Sequence, residues 1–516
     1  MSPSPVVTTS LGQLRGAFHD GVAVFKGIPY AADTAGPRRF LPPQPATPWT
    51  GVRDALAYGP RAPQPDVPRT RIFQWLASEP NNGEDCLVLN VFTPSPDAAR
   101  RPVMVYLHGG AFSIGAGNSP VLDGSALARQ EDVVVVTVNH RLNLFGYLCP
   151  LQNTDPRFAD AGNAGMLDLV VALQWVRDNI GSFGGDAGQV TIFGQSGGGA
   201  KVAILMAMPT AQGLFHRAIV QSSSSGFHVQ EYEASALATR QLFEEIALPA
   251  GNFAALQKLP ASDLLRAMQN VVVANKGQDD FRPVIDGRTL TRHPFYPQAP
   301  EISAQIPLLI GATRTEATFF LAADLSNFML SAEEAYKRIK GFLKIDDAQA
   351  EALISVYQAQ HVGAPPSEIL AFIVSDHAYR LTNIHGAEQK AMQGGAPVFM
   401  YEFAWESPAF KGVLHSPHTA EIPFVFGNVD VASAFTGDGP ELKPLMQRVM
   451  RAWGNFARTG NPNTDTLPAW KPFTPQERWT MVFNAECELV QDPRGAEREA
   501  MNRLPAFRPG SAINYR

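Results

Sequence analysis

The stretch Val190-Thr191-Ile192-Phe193-Gly194-Gln195-Ser196-Gly197-Gly198 decides how this chain is read. A short β-branched apolar run stops at a glycine, a serine follows between small residues, and an apolar, helix-forming stretch occupies 201–208. A serine hydroxyl reaches a substrate only from a tight turn that holds it clear of its own backbone, and such a turn needs small residues two positions to either side. Gly194 and Gly198 meet that need. A strand, a Gly-x-Ser-x-Gly turn and a helix in succession form the setting of a nucleophile elbow. The five-residue pattern alone carries little, because a chain with 43 glycines produces it by chance; its flanks give it meaning.

The nearest supporting element lies upstream. Residues 102–107 read as a buried strand that runs into His108-Gly109-Gly110-Ala111-Phe112. Paired glycines there can turn two backbone N–H groups toward an oxyanion, and the N–H of Gly197 supplies a third. Losing one such donor typically costs about 10²–10³ in turnover. Further β-branched runs at 86–92 and 133–139 read as strands buried on both faces. Apolar spacing at Leu169, Ala172, Leu173, Val176 and Ile180 predicts a helix over 166–180.

Beyond the elbow, strands at 218–221, 307–311, 398–403 and 479–483 alternate with helices at 235–246 and 445–458. That alternation predicts an α/β protein with a large mixed, mostly parallel central sheet flanked by helices. Residues 6–30 alternate like a hairpin, and the proline-rich segments 37–48 and 60–68 read as surface loops. The block 325–395 is almost wholly helical and is expected to be an insertion or lid within one elaborated domain spanning 1–516. No repeat or low-complexity linker divides the chain.

Composition narrows the function. The 516 residues carry a net charge of -6, and the charged fraction of 17% is below the roughly 25% of an average soluble chain. With no basic excess to neutralise phosphates, nucleic-acid binding is not expected. No apolar run approaches the roughly 20 residues of a membrane-spanning helix. The start, residues 1–9, has neither the basic nor the apolar character of a signal peptide, which gives a cytoplasmic expectation. Cys86, Cys149 and Cys487 are too few and too scattered for a disulfide framework or a metal site.

Taken with the two glycine motifs, several separate signatures give this chain a resemblance to type-B carboxylesterases, the bacterial esterase and cholinesterase-like branch of the α/β-hydrolase superfamily. They are Phe25-Lys26-Gly27-Ile28-Pro29-Tyr30-Ala31, Arg39-Phe40-Leu41-Pro42-Pro43, Glu84-Asp85-Cys86-Leu87, Gly165-Met166-Leu167-Asp168 and Asn455-Phe456-Ala457-Arg458-Thr459-Gly460-Asn461-Pro462. The match runs nearly end to end. The resemblance implies a carboxylic-ester hydrolase with a Ser, Glu, His triad in that chain order. Gly311-Ala312-Thr313-Arg314-Thr315-Glu316 fits the family's acid segment, and His418-Thr419-Ala420-Glu421-Ile422-Pro423-Phe424 fits its histidine segment. Ser196 is then the nucleophile, His418 the general base and acid, and Glu316 the group that orients the imidazole. His415, three residues earlier, is the rival base.

The same resemblance implies an oxyanion hole of Gly109, Gly110 and Gly197, no metal or other cofactor, and a small-molecule ester as partner; a monomer is the default expectation. It implies structural pairs of Arg39 with Glu84 and of Arg141 with Asp168, and a supporting place for Ser222 behind the triad. Two departures stand out. Relatives mostly carry Glu before the nucleophile and Ala after it, where this chain has Gln195 and Gly197. Gln195 removes a negative charge beside the histidine, which predicts altered titration and retained activity. Aromatic candidates for the substrate pocket are Trp75, Phe112, Phe281, Phe319, Phe320 and Phe424. The alternatives are a more specialised hydrolase or acyltransferase on the same triad, acting on carbamates, thioesters, lactones or bulky esters, and a catalytically silent interaction module. Retention of all three triad residues weighs against the last.

Overall fold

The computed structural model describes residues 4–67, 69–275 and 281–507. Pro68, at the end of the second proline-rich segment, and residues 1–3 of the N-terminal stretch lie outside the described residues. Fourteen strands are present among them. The small sheet at the N-terminus joins β1 (Val6–Thr9), β2 (Gly12–Arg15) and β5 (Val52–Asp54). The large sheet contains β3 (Ala17–His19), β4 (Val22–Pro29), β6 (Val88–Thr93), β7 (Arg101–Leu107), β8 (Val134–Val138), β9 (Gly185–Gln195) and β10 (Arg217–Gln221). It continues through β11 (Leu308–Thr313), β12 (Val398–Phe403), β13 (Trp479–Phe483) and β14 (Glu488–Gln491).

Its order is β14-β13-β12-β11-β10-β9-β7-β8-β6-β4-β3. Every pairing from β8 through β13 is parallel, and the antiparallel pairings are confined to the two ends. Between β7 and β9 the chain switches direction across the sheet, since β8 lies on one side of β7 and β9 on the other. In open α/β sheets such a reversal leaves a crevice beyond the carboxyl ends of the strands, where ligands bind. The loops after β7, β9 and β11 carry residues 108–112, 196 and 316 to that edge.

Central strands are buried on both faces because helices cover both. Val103, Val105, Ile192 and Val220 face one core with the helices Ala164–Asn179 and Gly197–Leu205. Met104, Tyr106, Phe193 and Ile219 face the other, packed on Val449, Trp453 and Phe456 of the helix Leu442–Thr459. This explains the near-continuous apolar runs of the sequence.

Several boundaries differ from the sequence reading. Residues 6–30 form two antiparallel pairs, β1 with β2 and β3 with β4, because the turn at 10–11 closes the first one early. β9 starts five residues before the apolar run at 190, and the helix after the elbow begins at Gly197 rather than 201. Between 325 and 395 run the helices Ala332–Leu343, Asp347–Gln360, Pro366–Ser375 and Leu381–Met392. The last two are joined through a π-helical turn at Asp376–Arg380.

Candidate active site

Strand β9 ends at Gln195, and Ser196 takes φ 59° and ψ -124° before the helix Gly197–Leu205 begins. A non-glycine residue at positive φ is strained, and strain of this kind gathers at functional turns. The flanking glycines are required by space. A Cβ on Gly194 would lie 2.6 Å from the carbonyl oxygen of Leu107, and one on Gly198 only 2.0 Å from it. Strand β7 and the elbow therefore touch backbone to backbone, which brings the 108–112 loop against Ser196. A Cβ on Gly109 would stand 3.5 Å from Cβ of Ser196. Gly110 and Ala111 follow with φ of 90° and 52°. Among the described residues, the N–H groups of Gly109, Gly110 and Gly197 donate to no loop or side-chain acceptor.

Glu316 follows β11, fully buried, and accepts from the Thr313 N–H at 2.7 Å. Its other oxygen accepts from Nδ1 of His418, while the His418 N–H donates to the Glu316 carbonyl at 3.4 Å. With Nδ1 protonated toward the carboxylate, Nε2 is left as the basic nitrogen. Ser196 and His418 line the same cavity, about 490 Å³ in volume. The neighbour on the imidazole is the side chain of Gln195, whose Nε2 stands 3.3 Å from Nε2 of His418 and 3.4 Å from Nδ1. His415 points elsewhere, between Glu368 and Glu406 at 3.4 Å each.

Behind the triad, Glu421 is fully buried. Its Oε1 accepts from Gln221 at 3.3 Å and from Ser222 at 3.5 Å, so Ser222 reaches the neighbourhood through Glu421 rather than through His418. Burial, reinforced by the Glu316 carboxylate, pushes the Glu421 carboxyl up to about 8. The expected ion pairs are formed: Arg39 grips Glu84 through two hydrogen bonds of 2.5 and 2.7 Å, and Arg141 grips Asp168 through two of 2.6 and 2.8 Å.

The aromatic candidates divide. Phe319 and Phe320 line the cavity, with ring centres 5.9 and 5.4 Å from that of His418. The other four must be corrected, because each belongs to packed interior away from the cavity wall. Phe112 turns back onto Tyr147, Phe281 sits in the apolar cluster of Phe243 and Leu264, Phe424 packs on Phe403 and Trp405, and Trp75 on Phe435. Tyr106 and Tyr379 line the cavity without having been anticipated. Tyr379 comes from the π-helical turn, whose register no sequence period announces. Lys201 was also missed, although a lone lysine in an apolar helix one turn past the serine is a visible anomaly.

Sheet, elbow and buried carboxylate–imidazole pair together define an α/β-hydrolase. The chain belongs to the carboxylesterase family, whose profile matches residues 3–501, and it is a carboxylic-ester hydrolase. It is 36% identical to the para-nitrobenzyl esterase of Bacillus subtilis over 96% of this chain and 98% of that one. It is 34% identical to the phenmedipham hydrolase of Pseudarthrobacter oxydans over 95% and 98%. Among solved structures, a Geobacillus stearothermophilus carboxylesterase superposes with a TM-score of 0.84 at 38% identity, covering 96% of this chain and 99% of that one. An esterase of Clostridium hathewayi described as hydrolysing aliphatic aromatic polyesters superposes at 0.82 with 32% identity, covering 98% and 99%. No helix among the described residues is long and apolar enough to cross a membrane.

Proposed function

We propose that the chain cleaves carboxylic esters through an acyl-enzyme on Ser196, with His418 as general base and acid, Glu316 as its orienting carboxylate, and Gly109, Gly110 and Gly197 as the oxyanion donors. The observation that carries this reading is convergence: a strained serine, a buried imidazole–carboxylate pair and a glycine loop with free N–H groups border one cavity. Rotation of the serine side chain toward Nε2 of His418 displaces the Gln195 amide from it; contacts of this kind commonly tighten only once substrate is bound.

His418 then takes the Ser196 proton as Oγ attacks the ester carbonyl, and gives it to the departing alkoxide. Water, deprotonated by the same imidazole, attacks the acyl-enzyme and releases the acid, returning the proton to Ser196. Leu76, Ile114, Leu122, Ile422, Phe319 and Phe320 give the cavity apolar walls, and its volume lies within the range that holds drug-sized molecules, so uncharged esters of moderate size are the expected substrates.

The test is Ser196→Ala assayed on p-nitrophenyl esters of increasing acyl length. The expected result is a loss of at least about 10⁴ in kcat with the melting midpoint unchanged. Turnover at the parent rate would remove the assignment.

A further inference from the structure

Beside the elbow lies a buried cation that the ester chemistry above does not use. Lys201, on the helix Gly197–Leu205, has no exposed surface, and no carboxylate stands within ion-pair distance of it among the described residues. Its Nζ donates to the carbonyl oxygens of His108 at 3.0 Å and Ala111 at 2.8 Å, and stands 5.4 Å from the Phe112 ring centre. The titratable groups facing it are His108 and His140, with rings 4.8 Å apart, and Arg141 lies beyond His140. Both imidazoles are held neutral, by burial first and by the Lys201 charge second; His108 is pushed down to about 3. Burying an ammonium without a counter-ion is costly, so a residue serving only to fill this space would be apolar.

The geometry gives the charge a task. A peptide group is planar and trans, so its C=O and N–H point in opposite directions. Holding the His108 carbonyl on Lys201 therefore aims the Gly109 N–H away from the lysine. The His108 ring donates from Nδ1 to the Gly109 carbonyl at 2.9 Å, which fixes the next plane and with it the Gly110 N–H. A cation on the carbonyl side of an amide also polarises it, making the N–H a stronger donor. The second contact accounts for Gly197. A Cβ there would fall 2.3 Å from the Ala111 oxygen and 2.4 Å from its Cα, so the Ala111 backbone, which Lys201 holds through its carbonyl, occupies the space an alanine methyl would need.

We propose that Lys201 is a positioning residue for ester hydrolysis, locking the 108–111 loop and polarising its amides so that they meet the oxyanion. This rests on Ser196 as nucleophile. The experiment compares Lys201→Met with the parent on p-nitrophenyl butyrate, with a trifluoromethyl ketone that forms an anionic serine adduct, and with the matching methyl ketone. The expected result is a fall of about a hundredfold in kcat with KM moved less than about threefold. Affinity for the trifluoromethyl ketone falls by a similar factor while methyl ketone binding is retained. A folded variant with parental kcat and ketone affinity overturns the proposal.

Gly197→Ala sharpens it. The substitution should cost at least about tenfold in the parent and much less in the Lys201→Met background, where the Ala111 backbone, no longer held through its carbonyl, can shift away from the methyl. Equal losses in both would overturn the coupling. Ser196→Ala must abolish ketone adduct formation; an adduct surviving there sinks the nucleophile assignment, a result separable from any Lys201 outcome. Should Lys201→Met fail to fold, the unmodified chain with ¹⁵N-labelled lysine gives the answer. Burial pushes the Lys201 ammonium down to about 7, and adduct formation should raise its titration by at least about one unit. An unmoved titration overturns the proposal.

Discussion

Two regions of this molecule bury several charges, and they treat them in opposite ways. Near the C-terminal edge of the sheet, Asp376 lies fully buried and is gripped twice by Arg380 at 2.7 Å, again by Arg494 at 3.1 Å, and by the Tyr357 hydroxyl at 2.8 Å. Glu402 is shared by Arg314 and Arg494, and Glu497 takes His361. Burial disfavours the ionised Asp376 and Glu402 carboxylates, but the arginines outweigh it and hold both below the usual carboxylate range. At the elbow, among the described residues, Lys201 donates to two carbonyls and Glu421 accepts from a side-chain amide and a hydroxyl, and neither is in an ion pair. Both are pushed toward neutrality. The difference separates charge that holds elements together from charge left unbalanced where a reaction needs it.

The comparison predicts that the two regions fail differently. Asp376→Asn in the paired region strips Arg380 of its close carboxylate and leaves Arg494 with Glu402 as its close partner, and should cost about 3–5 kcal/mol of stability. Denaturant unfolding checks this, with kcat/KM of the folded fraction expected to stay within about twofold. A large loss of turnover at parental stability would break the distinction. At the elbow the ordering reverses. Gln195→Glu places a carboxylate against His418 in place of a neutral amide, favouring the protonated imidazole. A protonated base cannot accept the serine proton, so the acid limb of kcat/KM should move to higher pH, by about one unit. Superimposable pH–rate profiles would show that the residue before the serine does not tune the histidine.

What the sequence disclosed follows the same division. Elbow, glycine loop and strand pattern were legible because each is local: glycines 194 and 198 sit where a strand must turn within a few residues, and β-branched runs mark strands covered on both faces. The pairing of Glu316 with His418, 102 residues apart, needed the family likeness, since no local pattern joins them. The cavity wall was half legible. Phe319 and Phe320 lie directly behind Glu316 in the chain, whereas Phe112, one residue beyond the glycine loop, is turned inward by the left-handed backbone of Ala111. The charge network around Asp376 was invisible, because its members come from a π-helical turn, the carboxyl ends of β11 and β12, the helix Asp347–Gln360 and the segment after β14.

The smallest expected effect on turnover concerns Glu421. Its carboxyl titrates near 8 in the folded chain, by burial first and the Glu316 charge second, against 4.5 when free. Between those values the folded state holds a proton that the unfolded state has lost, so stability falls as pH rises from about 4.5 through about 8. Glu421→Gln removes that ionisation while keeping an oxygen for Gln221 and Ser222 to donate to. The variant should lie close to the parent at pH 5 and exceed it clearly at pH 9, measured as unfolding midpoints at both. A difference of the same size at both pH values would mean that Glu421 is ionised throughout. It would then need a compensating charge, whereas its Oε2 has no hydrogen-bond partner among the described residues, so the contrast between the two buried regions would no longer hold.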